Sequence, residues 1–290
     1  MSDTPAYRPR HSVLYMPSSN ERALEKARTL PVDGLILDLE DAVGPDQKEA
    51  ARENACTAAA SGNYGSREVT IRVNGLGTRW HDDDLAAACA AGPDGIVVPK
   101  VDSADEVRGL VAAMERHGAP GTTRLWAMVE TPRAVLAVDE IASASPRLAG
   151  LVVGTNDLVK ELGARNVPGR APLLTALSLA LLAARRAGIA ILDGVWNDVQ
   201  DIDGFEVECR QGRDLGFDGK TLIHPGQVGP CNAVFAPSAA DVEDARALVD
   251  AWEAGGGAGV VTHRGRMVEN LHVDIARRVI ATDEAVRARG

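Results

Sequence analysis

The chain has 290 residues, 45% of them hydrophobic, enough to bury a sizeable core in one large domain or two ordinary ones. A net charge of −10 and only 3% aromatic residues exclude nucleic acid and an anionic membrane surface as main partners, since both reward positive charge and the first rewards stacking. An anionic ligand then needs a local basic patch, and the first thirty residues hold one, with Arg8, Arg10, Arg22, Lys26 and Arg28 set against Asp3, Glu21 and Glu25.

In chain order, Pro5, Arg8, Pro9 and Arg10 interrupt the start, so no apolar leader is expected there. Short apolar runs follow at 12–16, 34–39, 69–73, 95–99, 125–130, 151–154, 189–193 and 220–224. They are nearly continuous in apolar character, as strands buried on both faces should be. Alanine-rich helical stretches lie between them at 21–29, 47–60, 81–91, 104–117, 133–144, 173–187 and 203–215. The alternation predicts a parallel sheet built from βα units, and eight such strands fit a (β/α)8 TIM barrel. A doubly wound open sheet is the alternative, but no GxGxxG follows a strand.

The Leu173 to Ala184 stretch is apolar but short of the ~20 residues that cross a bilayer, and Arg185-Arg186 ends it. Cys56, Cys89, Cys209 and Cys231 show no metal-ligand spacing and read as free thiols in a reducing compartment. A cytoplasmic protein with no membrane and no nucleic-acid partner is expected. After the eighth strand a C-terminal helical extension begins. The expected division is a barrel over 1–236 and a helical arm over 237–290, with a helix at 239–254, a Gly-rich hinge at 255–259 and a basic amphipathic helix around 273–288. The glycine run is either a plain loop or the joint of an arm that closes over a barrel mouth, its own or a neighbour's.

Three of the apolar runs deliver a charge at or just past their far end: Arg72 after Val69-Thr70-Ile71, Glu130 after Trp126-Ala127-Met128-Val129, and Asp157 after Leu151-Val152-Val153. Unpaired charge is costly at the edge of a core, so strand ends of this kind point to ligands. In a barrel such ends share the ligand-binding rim. The same rim would carry Asp38-Leu39-Glu40-Asp41, Asn74, Lys100, Thr131, Asn156, Asp193-Gly194 and His224. Any one of these could be a surface charge or a helix cap, Thr131 and Asn156 above all. Glu130 and Asp157 suit a hard cation such as Mg2+, with Mn2+ as a substitute, which takes one or two carboxylates and fills its shell with water and substrate oxygens. Zinc lacks its histidines and cysteines here. Arg72 offers a fixed guanidinium fork to a carboxylate or an enolate oxygen, and Lys100 reads as a structural partner of the acids.

The segments Leu14-Tyr15-Met16-Pro17, Leu37-Asp38-Leu39-Glu40-Asp41-Ala42-Val43, Ile71-Arg72-Val73-Asn74, Pro99-Lys100-Val101, Val129-Glu130-Thr131, Gly154-Thr155-Asn156-Asp157-Leu158 and Gly219-Lys220-Thr221-Leu222-Ile223-His224-Pro225 occur in order along the chain. Together they resemble the citrate lyase β-subunit-like group of the HpcH/HpaI aldolase superfamily, which includes malyl-CoA, citramalyl-CoA and citryl-CoA lyases and related thioesterases. The resemblance implies a (β/α)8 barrel, a homotrimer or dimer of trimers, and a CoA thioester handled with Mg2+. It implies metal ligation by Glu130 and Asp157, a catalytic Arg72, and CoA contacts at Tyr15 and Lys26. Argued from charge, Glu40 and Asp41 would orient Arg72 and the metal-bound waters.

Two departures from that pattern stand out. Asn20 occupies a position, two after Ser18, that is often basic in the group. Glu269, after Gly265-Arg266-Met267-Val268, stands where the lyases carry an acid/base aspartate contributed by a neighbouring subunit. The extra methylene shifts its reach by about an ångström, a displacement that can cost ~100-fold in rate. His272 nearby reads as a packed side chain rather than a base.

The leading expectation is a Mg2+-dependent carbon–carbon lyase cleaving a carboxylated 3-hydroxyacyl-CoA into an acyl-CoA and a 2-oxo acid. A malyl-CoA thioesterase using the same site is the alternative, and a non-catalytic CoA-ester-binding subunit is a third reading.

Overall fold

In the computed structural model the described residues are 8–257 and 259–288. Asp3, Pro5 and Ala258, used in the sequence reading above, lie outside them. The described residues divide into two compact units, one over Arg10–Asn232 and the other formed by the described residues before and after that span.

The first unit is a closed barrel of parallel strands, β1 (Ser12–Pro17), β2 (Gly34–Asp38), β3 (Glu68–Arg72), β4 (Gly95–Val98), β5 (Arg124–Val129), β6 (Leu148–Val153), β7 (Ala190–Asp193) and β8 (Gly219–Leu222). Each pairs with its successor, and β8 closes on β1 with Ser12 opposite Lys220. Strands such as Gly34–Asp38 and Gly95–Val98 are buried at every position, which is why their sequences do not alternate. The barrel interior is filled by Val13, Ile36, Val97, Trp126, Met128, Val152 and Leu192.

Trp126 is the large member of that layer, and Gly150 makes room for it. A Cβ at 150 would fall 2.3 to 2.7 Å from three atoms of the indole. This explains why β6 begins three residues before the predicted start at 151: the glycine reads as a strand breaker but serves as a packing notch.

Around the barrel run α1 (Glu21–Ala27), α2 (Lys48–Ala60), α3 (His81–Ala91), α4 (Ala104–Arg116), α5 (Pro132–Leu136), α6 (Val138–Ala142), α7 (Thr155–Glu161), α8 (Leu174–Ala187), α9 (Ile202–Leu215) and α10 (Val228–Phe235). The single helix expected over 133–144 is two, separated at Ala137 (φ −102°, ψ 6°). The short α7 was not expected. It starts directly from the β6 end and carries Asp157 in its first turn.

The second unit holds α11 (Ala239–Ala254), the antiparallel strands β9 (Val261–His263) and β10 (Arg266–Val268), and α12 (Asn270–Arg287). Helices were expected at 239–254 and around 273–288, where α11 and α12 lie, and the hairpin between them was not expected. Its tight turn is Arg264-Gly265, both at positive φ (44° and 74°), the backbone that two-residue hairpins require. Trp252, Val268 and Val273 form its core with Leu248, Val249 and Val261.

Candidate active site

Arg72 is the last residue of β3 and lies opposite Asp38, the last residue of β2, in the strand register. Its guanidinium is gripped along one whole edge. Nε donates to Asp38 Oδ1 at 2.6 Å and Nη2 donates to Asp38 Oδ2 at 2.7 Å. Nη1 reaches Glu40 Oε2 at 2.7 Å and Asp41 Oδ2 at 3.5 Å, and the Tyr15 ring lies 4.8 Å from Cζ. Burial disfavours the charge, but Asp38, Tyr15 and Glu40 outweigh it and hold the Arg72 pKa well above its ordinary value. The sequence assigned the orienting role to Glu40 and Asp41. Glu40 fills it in part, the exposed Asp41 contributes from a distance, and Asp38 is the principal holder.

Asp38 also accepts the backbone N–H of Glu40 (2.9 Å) and of Ala42 (3.1 Å), while Lys48 Nζ donates to the carbonyls of Leu39 and Glu40 at 2.7 Å each. The acidic loop after β2 is therefore fixed by its own first carboxylate and one buried lysine.

Glu130 sits just past β5 and is 2% exposed. Its Oε1 accepts the backbone N–H of Lys100 at 2.9 Å. Burial, against the pull of Lys100 and with the repulsion of Glu40 and Asp157, pushes its pKa up to about 7. Burial likewise raises Glu40. Gly154 makes this placement possible, since a Cβ there would fall 2.5 Å from Glu130 Cβ.

Lys100 Nζ lies 3.5 Å from Asp157 Oδ1, 3.7 Å from Glu40 Oε1 and 3.8 Å from Glu130 Oε1, so one ammonium stands within 4 Å of three carboxylates. Burial opposes this ammonium, but the acids around it raise its pKa. Its expected role as a partner of these acids agrees with that geometry.

The donor set is all oxygen, which suits Mg2+ or Mn2+ rather than a soft metal. Among the described residues no group of three or more His, Cys, Asp or Glu side chains is arranged to hold a metal by itself. Glu130 and Asp157 would thus hold a metal together with oxygens from outside the protein. The residues fit that ion.

Arg72, Asp41, Glu130 and Asp157 line a cavity of about 280 Å³ with Tyr15, Asp38, Asn156 and Asn197, and Glu40 stands behind it on Arg72. A second cavity of about 150 Å³, lined by Leu14, Met16, Ala23 and Lys26, shares Tyr15 and Ile223 with the first. The structure thereby brings together Arg72, Glu40, Asp41, Glu130, Asp157 and Tyr15, with Lys26 in the adjoining cavity.

Other rim candidates have structural employment. Asp193 is fully buried between Arg170 and Lys220 and is not a rim ligand. Thr131 caps α5 through the N–H of Ala134, and His224 Nδ1 accepts the N–H of Gly226. Asn74 bonds Leu39 and Asp84. Asn156 is no cap, but exchanges amide hydrogen bonds with Asn197 (3.0 and 2.7 Å). Asn20 caps α1 by accepting the N–H of Ala23. Glu269 belongs to the second unit, exposed at the start of α12, with its backbone N–H donating to His272 Nδ1 at 3.0 Å. His272 is a capping group there.

Comparison with known proteins agrees with this reading. The model of the HpcH/HpaI aldolase/citrate lyase family matches residues 11–225. A (3S)-malyl-CoA thioesterase of Cereibacter sphaeroides is 48% identical over 282 residues, 97% of this chain and 96% of that protein. The citrate lyase subunit beta of Escherichia coli strain K12 is 36% identical over 96% of this chain and 94% of its own. Among solved structures, CitE of Mycobacterium tuberculosis in complex with magnesium, acetoacetate and coenzyme A superposes with a TM-score of 0.78, at 28% identity, over 95% of this chain and 98% of that one. A citrate lyase of Burkholderia xenovorans, at 19% identity, shares the fold with a TM-score of 0.84 over 98% of this chain and 94% of its own.

Proposed function

The chain belongs to the HpcH/HpaI aldolase/citrate lyase family and is an enzyme, and from that premise we propose that it is a Mg2+-dependent thioesterase acting on a carboxylated 3-hydroxyacyl-CoA of the malyl-CoA type. The observation that carries the reading is the guanidinium of Arg72, pinned by Asp38 and Glu40 in the wall of a cavity that Glu130 and Asp157 also line. Hydrolysis rather than carbon–carbon cleavage is the outcome supported by the 48% identical thioesterase and by glutamate at position 269.

Glu130 and Asp157 hold the metal in this reading. When bound, Mg2+ supplies Lewis-acid polarisation of the substrate's hydroxyl and carboxylate oxygens. Arg72 meets the thioester oxygen. Its fork cannot rotate away, so it offers a preorganised positive field where negative charge develops. Asp38 and Glu40 fix that fork, and Tyr15 and Lys26 bind the CoA portion. In hydrolysis a water oxygen bonds to the thioester carbon, the carbon–sulfur bond breaks, and the thiolate leaves as CoA after taking a proton. Glu269 is the proposed acid/base. The proposed assembly is a homotrimer or dimer of trimers in the cytoplasm.

Carbon–carbon cleavage is the second reading, and the same Arg72 favours it, because an enolate formed on the thioester oxygen needs the same cation. The C2–C3 bond would break, the hydroxyl proton would pass to a base, and the enolate would be protonated to acetyl-CoA beside glyoxylate. Incubation of (3S)-malyl-CoA with enzyme and Mg2+, with products identified by mass, separates the two. Free malate with CoA is expected, glyoxylate with acetyl-CoA reverses the choice, and an unchanged substrate, or full turnover in EDTA, sinks both.

A further inference from the structure

Lys100 carries a backbone that lysine does not adopt without cause. Its φ is +51°, in the left-handed region that costs a side-chain-bearing residue energy and persists only where the surroundings impose it. The consequence is that one residue faces the same acids twice. Its N–H donates to Glu130 Oε1 at 2.9 Å, and its ammonium stands 3.5 to 3.8 Å from Asp157, Glu40 and Glu130. None of those three separations is a short hydrogen bond. The ammonium is held by the summed field of the carboxylates rather than by a directed contact. Lysine suits such a role, being a compact point charge on a flexible stem. The side chain is 42% exposed, so it has somewhere to go.

We propose that Lys100 is a tethered counter-cation that stands in the acid cluster of the metal-free enzyme and is displaced toward solvent when a divalent ion enters. The inference rests on the reading that Glu130 and Asp157 hold that ion. An ammonium 3.5 Å from Asp157 and 3.8 Å from Glu130 cannot keep its place beside a dication held by the same two carboxylates, since their repulsion at a few ångströms is strong wherever water is partly excluded. Lys100 therefore lowers the metal affinity that the acids alone would have. In exchange it neutralises them, and keeps Glu130 in position, while the site waits for metal.

The test is direct titration of the full chain with Mn2+, free ion being read by electron paramagnetic resonance, for the wild type, K100M, K100Q, K100R and E130Q. Methionine matches the stem without the charge. K100M and K100Q are expected to bind Mn2+ more tightly, on the order of ten-fold, and K100R to stay near the wild type. Without metal, K100M is expected to melt below the wild type and to gain more from saturating Mn2+. K100M and K100Q binding Mn2+ no better than the wild type, while E130Q binds it worse, overturns the inference but leaves the metal reading intact. Wild type and E130Q behaving alike overturns the metal reading, and the inference falls with it.

Discussion

Asp38 and Arg72 end adjacent parallel strands in register, and they meet along one edge of the guanidinium, Nε to Oδ1 at 2.6 Å and Nη2 to Oδ2 at 2.7 Å. Such a bidentate pair fixes the orientation of a guanidinium plane as well as its position. Glu40 takes the remaining end at 2.7 Å, so the cation that faces the cavity has little freedom left.

Replacing Asp38 with asparagine keeps the shape and removes the charge. Arg72 then loses half of its grip and can turn toward Glu40. D38N is expected to lower kcat by roughly 100-fold, the usual cost of a small misplacement, with a much smaller change in KM. Steady-state kinetics on (3S)-malyl-CoA measures the split. A loss confined to KM would show that Arg72 serves binding only.

The barrel was legible because its strands are buried on both faces and so read as unbroken apolar runs between alanine-rich helices. The charged trio at its rim was legible for the same reason, since charge stands out against such runs. What chose Asp38 over Glu40 and Asp41 was not. Four consecutive residues, Asp38-Leu39-Glu40-Asp41, offer three acids, and only the register with β3 tells which one faces Arg72. Asp193 looked like a rim ligand because its partners, Arg170 and Lys220, stand 23 and 27 residues away in the chain. The hairpin over 261–268 stayed hidden because its turn is Arg264-Gly265 rather than an Asn-Gly or Asp-Gly pair.

Gly154 makes room for Glu130, and its own φ of −89° is open to any residue, so alanine there would act through contact rather than backbone strain. A Cβ would sit 2.5 Å from Glu130 Cβ and 3.0 Å from its Cδ. G154A is expected to displace the Glu130 carboxylate and weaken Mn2+ binding at least about ten-fold, in keeping with the cost of disturbing a metal's supporting groups. Titration calorimetry reads the affinity. Unchanged affinity in a folded variant would remove Glu130 from the metal site.

Burial raises Glu130 from near 4.5 to about 7 in the folded, metal-free protein, and it raises Glu40 in the same direction. Between those pH values the folded chain holds more protons than the unfolded one, so stability must fall as pH rises across the window. The penalty is complete once Glu130 is ionised, and a bound dication should offset it. Melting in EDTA is expected to drop from pH 5 to pH 8 more steeply than in Mg2+, and E130Q should flatten the EDTA curve. Parallel curves for the wild type and E130Q would show that Glu130 is not the source.

Lys220 is fully buried, with Nζ 2.8 Å from Glu208 Oε1 and 3.1 Å from Asp193 Oδ2, while Arg170 Nη1 donates to the same Asp193 at 2.7 and 2.9 Å. Burial would raise Asp193, but the two cations outweigh it and hold its pKa below the ordinary value. Asp193 is therefore a source of stability above its unfolded pKa that is lost as pH falls through the folded one. Removing one cation leaves buried carboxylates short of a partner, which costs roughly 3–5 kcal/mol in comparable clusters. At this chain length that lowers Tm by on the order of 10 °C. K220M is the variant to melt, because methionine keeps the volume of the stem. It should also raise the pH at which acid unfolding begins, since Asp193 then takes up its proton more readily. A K220M protein that melts with the wild type would mean that the cluster neither stabilises the β7–β8 side of the barrel nor needs both its cations.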